Sequence, residues 1–287
     1  MILITGATGH LGTHVIENLL KTIKPENIVA FARDKKKAEK WSSRGLSVRI
    51  GDFDNISSLE DACVGVEKLL LVPSNDQNAL GQHKNVIDAA IKNNVRHIYY
   101  ASGSLNHYVE ASQLGPLNDS YSATENYLKQ SGADYTILQN CLYAETIPFF
   151  IGRDPINQGI YFPAGNGKCS FALREEMGEA IAKVIASEGH VNATYMLTGQ
   201  QTYSFNDIAT ILGDITGKEI SYYSPDENEY ENQLREYGVS EGDIWFSSIF
   251  AAIIKNTEYD IYDLNLERLL GRKPTTLQEF LRKEYAL

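Results

Sequence analysis

Cysteine is scarce, with three in 287 residues, and Cys63, Cys141 and Cys169 are widely spaced and odd in number. They suggest neither a disulfide framework nor metal-ligand spacing. Buried thiols in a reducing compartment, the cytoplasm, are expected, with no bound metal. Long apolar runs are missing too: none approaches the roughly 20 residues that a membrane-spanning helix needs. The opening MILITGATGH has neither a basic n-region nor a small-residue cleavage site, so no secretory leader is expected. Positive charge is in deficit, 26 Lys and Arg against 37 Asp and Glu, for a net charge of −11. Such a surface repels a phosphate backbone, which argues against direct nucleic-acid binding. Internal repeats and low-complexity tracts are absent. What is present is an ordinary globular composition, 43% hydrophobic and 22% charged. The chain is about twice the usual single-domain length.

The first 140 residues alternate short apolar runs with helical patterns. Runs at 2–4, 28–31, 46–50, 69–72, 97–101 and 135–138 read as strands. Helices are expected at 10–21, through Lys37 and Lys40, from a capping-box spacing at Ser57 and Glu60, and at 82–93 and 121–131. The run 69–72 lacks polar alternation, as a parallel strand covered on both faces should. The alternation predicts an α/β fold: a doubly wound, parallel-sheet Rossmann domain over 1–150. A smaller, mostly helical α/β lobe is expected over 151–287, with strands free to return to the main sheet. Residues 155–170 are rich in Gly and Pro and read as a long loop with a short strand at 160–162. Helices follow at 174–187, 205–216, 226–237 and 240–255, strands at 195–197 and 220–222. A last helix opens at Thr276 and Glu279, again with capping-box spacing. With no linker between the halves, the lobe is expected to pack on the sheet edge as a lid.

The sharpest motif is Thr5-Gly6-Ala7-Thr8-Gly9-His10-Leu11-Gly12, between the first strand and the first helix. Gly6 permits the tight turn, Gly9 lets the backbone approach a pyrophosphate, and Gly12 lets helix and strand pack closely. The helix N-terminus then favours an anion, so this is expected to be a dinucleotide site. An NAD site usually carries an acid at the end of its second strand. Here that strand ends Phe31-Ala32-Arg33, followed after Asp34 by Lys35, Lys36 and Lys37. Cations in a first helical turn are unfavourable unless an anion offsets them, and Arg33 suits a 2′-phosphate through bidentate geometry. The plain alternative for the lysines is a solvated helix face, and Asp34 keeps an NAD role open. NADP(H) is favoured over NAD(H).

These residues resemble the atypical short-chain dehydrogenase/reductases of the NmrA-like group, especially its bacterial NAD(P)H:quinone oxidoreductases and triphenylmethane reductases. The resemblance runs through ILITGATGHLG, ARDKKKA, GDFD at 51–54, QHKNVIDAA at 82–90 and VRHIYYAS at 95–102. It continues through TILQNCLY at 136–143, FPAGNGK at 162–168 and LLGRKPTTLQEFL near the end. It implies that Thr8, Gly9, His10 and Leu11 contact the pyrophosphate, and Arg33 and Lys37 the 2′-phosphate. Asp52 and Phe53 would flank the adenine, and Val72, Pro73 and Ser74 the ribose. Asn140 and Tyr143 would lie beside the nicotinamide and position the substrate, although either alone reads equally well as a cap or core residue.

One departure from the superfamily matters. Its catalytic dehydrogenases carry Tyr-x-x-x-Lys on one helix face, whereas this chain reads Tyr121-Ser122-Ala123-Thr124-Glu125. A nearby acid raises a tyrosine's pKa where the lysine would lower it. Lys129 is two turns from Tyr121, and Ser102, near the usual catalytic serine and the cofactor, lacks its normal partners. The resembling quinone and dye reductases also carry Glu at that position. The expectation is an NADPH-dependent reductase delivering hydride to a planar, electron-poor acceptor such as a quinone or dye. Solvent can supply the proton, so no tuned acid is needed. Aromatics available to the lid are Tyr143, Phe149, Phe150, Trp245, Phe246 and Phe250, each singly more often core than substrate wall. The alternative is an NAD(P)-binding redox sensor without turnover, acting on a protein partner. A nucleotide-sugar epimerase is disfavoured by the missing lysine. The sequence leaves a homodimer or other protein partner open.

Overall fold

The computed structural model describes residues 1–74, 76, 78–104 and 115–287, with the backbone alone at 115–119. The N-terminal part runs β1 (Ile2–Ile4), α1 (His10–Leu19), β2 (Ile28–Ala32), α2 (Lys35–Ser42), β3 (Ser47–Ile50) and α3 (Ile56–Cys63). It continues through β4 (Lys68–Leu71), α4 (Ala79–Lys92), β5 (His97–Gly103), α5 (Gly115–Gln130) and β6 (Asp134–Asn140). Then come β7 (Leu142–Tyr143), α6 (Ile147–Ile151), α7 (Pro155–Gln158), β8 (Ile160–Tyr161), β9 (Lys168–Ala172), α8 (Arg174–Ala186) and β10 (Ala193–Leu197). The chain closes with β11 (Thr202–Ser204), α9 (Phe205–Thr216), β12 (Tyr222–Tyr223), α10 (Glu227–Glu236), α11 (Glu241–Lys255), α12 (Asn265–Leu270) and α13 (Leu277–Glu284).

Seven strands form one sheet in the order β10-β6-β5-β4-β1-β2-β3. Every pairing in it is parallel. The order reverses between β1 and β4, the switch point outside which a doubly wound sheet binds ligands. Successive residues face opposite sides. Ile4, Ala30, Leu70 and Tyr99 join one core with α1 and α8. Leu3, Val29, Phe31, Leu69 and Tyr100 join another with α3 and α4. Both faces are covered, which is why these strands read as unbroken apolar runs. A third core lies among α6, α9, α11 and α13, with two small sheets, β11-β9-β7 and β12-β8. Through β10 and α8, residues 174–197 extend the main sheet and its helical layer.

Three local expectations change. Helix α3 opens at Ile56, because Asn55 in extended backbone accepts the Ser58 N–H (3.0 Å). Ser57 is therefore inside the helix and forms no box with Glu60. Helix α5 begins at Gly115, well before 121. Strand β9 occupies part of the segment read as loop, and pairs with β7 and β11. The Thr276–Glu279 capping box is formed, and α9 has a second one at Ser204–Asp207.

The closing segment is tied to α8 by one buried carboxylate. Glu176, 4% exposed, accepts the Thr275 N–H (3.0 Å to each oxygen) and its hydroxyl, and pairs with Arg272. Arg272 also reaches Glu179 at 2.8 Å, and Lys183 donates to the Leu270 carbonyl at 2.7 Å. Glu176→Ala would leave the half-buried Thr275 N–H and hydroxyl and the Arg272 guanidinium without their acceptor, and is expected to lower unfolding free energy by about 1.5–3 kcal/mol. Urea denaturation measures it; a loss below about 0.5 kcal/mol, the size of an ordinary surface change, would mean that the clamp carries no stability.

Candidate dinucleotide-binding crevice

The end of β1 is fastened to the end of β4: the Thr5 hydroxyl donates to the Leu70 carbonyl (3.1 Å) and accepts the Val72 N–H (2.8 Å). The chain then turns at Gly6, φ +60°, where a Cβ would also press on Val72 at 3.1 Å. At Gly12 a Cβ would sit 2.3 Å from the Gly6 carbonyl oxygen, so only glycine fits where α1 crosses its own approach loop. The Gly9 N–H closes back on Gly6 O (2.9 Å), and the next bond in register is Thr13 N–H to Gly9 O (3.0 Å). No side chain caps α1. The N–H groups of its first turn, at His10, Leu11 and Gly12, are the ones that a helix leaves without internal partners. Beneath the loop, the buried Trp41 indole donates to the Ala7 carbonyl at 2.8 Å and holds it down.

A crevice of about 350 Å³ opens here. Gly6, Thr8, Gly9, Arg33, Lys37, Asp52, Phe53, Val72, Pro73 and Ser74 line it, together with Asp34, whose place in the sequence leaves an NAD role open, and with Phe31, Ala32 and Gln82, which the sequence does not mark as contacts. His10, the first residue of α1, is exposed and outside the lining, Leu11 is buried in the core, and Gly12 serves the close approach. For Leu11 and Gly12 only the backbone can meet a ligand. Arg33 and Lys37 are exposed, and among the described residues neither has a carboxylate within ion-pair distance. Asp34 is engaged otherwise: it caps α2 by accepting the Lys36 and Lys37 N–H groups (2.8 and 3.1 Å). Phe53 stacks on Phe31, rings 6.1 Å apart and 9° from parallel, and makes a flat wall.

The floor is a polar chain. The Ser74 hydroxyl donates to Gln82 Oε1 (2.6 Å), and Gln82 Nε2 donates to Asp54 (2.8 Å). The Ser74 N–H donates to His83 Nε2 (3.2 Å), which leaves Nδ1 to carry the proton toward Thr124 Oγ1 (3.0 Å). This tautomer is a neutral imidazole, and burial pushes its pKa down to about 4.

Ser102, Asn140 and Tyr143 lie outside that crevice lining, at the ends of β5 and β6 and in β7. Ser102 donates to buried Glu125 (2.7 Å), which also accepts from Gln139 (3.0 Å) and lies 3.5 Å from Lys129. The Tyr121 ring lies against Gly103, and burial raises its phenol. Asn140 is 6% exposed; its Nδ2 donates to the Tyr143 hydroxyl (3.4 Å), while Oδ1 has no partner among the described residues. Ser104 Oγ, fully buried, has none among them either. Such orphans are rare unless a ligand completes them. The Arg174 guanidinium lies 4.4 Å from the centre of the Tyr143 ring and holds it in place. Among the described residues no cluster of His, Cys, Asp or Glu could hold a metal, and no helix is long and apolar enough to cross a membrane.

Residues 1–281 match the NmrA-like family. Quinone oxidoreductase 2 of Escherichia coli is 36% identical, over 97% of this chain and 96% of that one. The crystal structure of an E. coli NADPH-dependent quinone oxidoreductase complexed with NADPH superposes with a TM-score of 0.91 at 33% identity, covering 99% of each chain. Triphenylmethane reductase of Citrobacter sp. superposes with a TM-score of 0.90 at 32% identity, over 100% of this chain and 99% of that one. The chain belongs to the NmrA-like family.

The neutral His83 gives the crevice floor a pH signature. The unfolded chain takes the imidazole proton near pH 6.5, while the folded one resists it until about 4. Stability is therefore fully present above 6.5 and is lost as pH falls through that window, on the order of 3 kcal/mol. Urea titrations at both ends of the window, on the unmutated protein and His83→Asn, isolate it. The variant should lose less; equal losses would mean that another group titrates.

Proposed function

We propose that this NmrA-like protein is an NADPH-dependent reductase that passes hydride to a planar, electron-poor acceptor of the quinone or dye kind. The observation that carries the reading is the crevice itself, which joins a helix N-terminus without a side-chain cap to two cations, Arg33 and Lys37, that have no ion-pair partner among the described residues. That spacing of donors suits an anionic pyrophosphate and a 2′-phosphate. The E. coli and Citrobacter proteins, named for quinone and triphenylmethane reduction, support the same activity. In this reading the α1 N–H groups and Thr8 hold the pyrophosphate, Arg33 and Lys37 hold the 2′-phosphate, and Asp52 and Phe53 flank the adenine. Val72, Pro73 and Ser74 line the ribose. Two of the four buried side-chain oxygens without a partner among the described residues, Asn140 Oδ1 and Ser104 Oγ, suit the carboxamide of a nicotinamide.

Bound NADPH supplies the hydride. The chain supplies position. Tyr143, braced by Arg174 and Asn140, is the flat wall against which an acceptor ring is held. Misplacement by about 1 Å can cost roughly 10² in rate, so a braced ring is worth more than a mobile one. No tuned acid is required, because charge delivered to a delocalised acceptor is spread and water can protonate it. Glu125, spent on Ser102 and Gln139, supports this: it stands where a lysine would tune Tyr121. The three buried, unpaired cysteines suit a reducing compartment and support a cytoplasmic location.

Arg33→Ala is expected to weaken NADPH binding by about 1.5–3 kcal/mol while leaving NADH affinity nearly unchanged. Calorimetric titration of both cofactors checks it, and equal affinities in the unmutated protein would remove the 2′-phosphate assignment. The activity is tested by following NADPH absorbance with benzoquinones, naphthoquinones and cationic dyes. Turnover with at least one is expected, and Tyr121→Phe should keep it within a few-fold, where loss of a true general acid costs about 10²–10⁴. No turnover with any acceptor at saturating NADPH would replace the reductase by a cofactor-sensing regulator.

A further inference from the structure

Helix α5 carries an acid where folding gives little reason for a charge. Strands β5 and β6 end in register, Ser102 opposite Gln139 and Gly103 opposite Asn140. Glu125, 3% exposed, is bonded to both members of the first pair. Its Oε1 accepts the Ser102 hydroxyl (2.7 Å), and Gln139 Nε2 donates to both oxygens (3.0 and 3.3 Å). Lys129 lies on the other oxygen, 3.5 Å from Oε2, with its side chain 39% exposed. The ion pair is thus a dipole with its negative end toward Ser102 and its positive end partly in water. One turn before Glu125 on the same helix, Tyr121 lays its ring along Gly103, where an added Cβ would meet it at 3.1 Å.

Taking a carboxylate out of water is costly, and a brace between β5 and β6 does not require one. A neutral glutamine of the same length would offer its carbonyl to the same donors. The charge has a use one residue further along the strands, a step of about 3.3 Å. There the Ser104 N–H donates to the Asn140 carbonyl (2.9 Å), and Ser104 Oγ and Asn140 Oδ1 stand without a partner among the described residues. These are the oxygens that suit the nicotinamide carboxamide. When hydride leaves a reduced nicotinamide, a C–H bond breaks, both its electrons pass to the acceptor, and the ring is left with a positive charge. An anion fixed inside the protein, little screened by water, favours that charge as it forms. We infer that Glu125 sets the redox poise of the bound cofactor: its charge favours NADP+ over NADPH in the crevice, and so makes bound NADPH the stronger hydride donor. The inference rests on the reductase reading, and gives the acid at the superfamily's lysine position a use of its own.

The test needs no acceptor. Calorimetric titration gives the affinities of NADP+ and NADPH, and their ratio reports the potential of the bound couple. Glu125→Gln keeps the length and a hydrogen-bond acceptor but removes the charge. NADP+ should weaken relative to NADPH by about five- to tenfold, the scale of one charge acting across several ångströms of protein. Lys129→Met removes the opposing charge and should move the ratio the other way, by about twofold, since an exposed charge is largely screened. Should Glu125→Gln not fold, the variant at the half-exposed Lys129 decides alone. A carboxylate that is only a brace gives a different result: both cofactor forms weaken together, or neither does, and an unmoved ratio overturns the inference. Absence of turnover with every acceptor would remove the reductase reading, and the ratio would still decide what Glu125 does.

Discussion

The contact on which the rest depends is the crossing of backbone over backbone at Gly6 and Gly12. A single Cβ at Gly12 would fall 2.3 Å from the Gly6 oxygen, so α1 would have to move off the sheet. Because Thr5 bonds to both Leu70 and Val72, such a shift would also disturb the seam between β1 and β4. That seam is the switch point, and the crevice opens above it. Packing and binding are therefore one constraint at this place: the approach that closes the core also aims unpartnered N–H groups outward.

Much of the fold was legible because covered parallel strands are simple text. The runs at β1, β2, β4 and β5 are apolar without alternation, and the helices between them keep a helical period. Strand β9 was not legible. Its five residues, Lys168-Cys169-Ser170-Phe171-Ala172, sit directly after a Gly/Pro-rich stretch, and its partners come from Leu142 and Thr202, remote in sequence. The cap at α3 went astray for a different reason. Ser57–Glu60 has the spacing of a box, but Asn55 two residues earlier has the backbone to cap and takes the role first.

At the crevice, the residues that a sequence exposes best are those whose type is unusual for their position: glycines in a turn, cations in a first helical turn. The floor has no such mark. Ser74, Gln82, Asp54, His83 and Thr124 meet only through tertiary folding, and each alone is ordinary. Gln82 and His83 did stand inside the QHKNVIDAA segment, but nothing local says that they meet Ser74. Asp34 is the reverse case. Its sequence position left an NAD role open, and the structure commits one of its oxygens to the α2 cap, beside the exposed Arg33 and Lys37. A protein of net charge −11 thus keeps two exposed cations, Arg33 and Lys37, on the lining of this crevice.

The two tryptophans stand in opposite surroundings. Trp41 is fully buried with its indole N–H on the Ala7 carbonyl of the glycine loop, whereas Trp245 is 53% exposed on α11. Their emission is therefore separable without mutation, since a collisional quencher such as acrylamide reaches one and not the other. Trp41 is fixed to the loop that would carry the pyrophosphate, and indole emission overlaps reduced-nicotinamide absorption. The protein contains its own optical gauge of crevice occupancy, one that reads binding apart from any chemistry that follows.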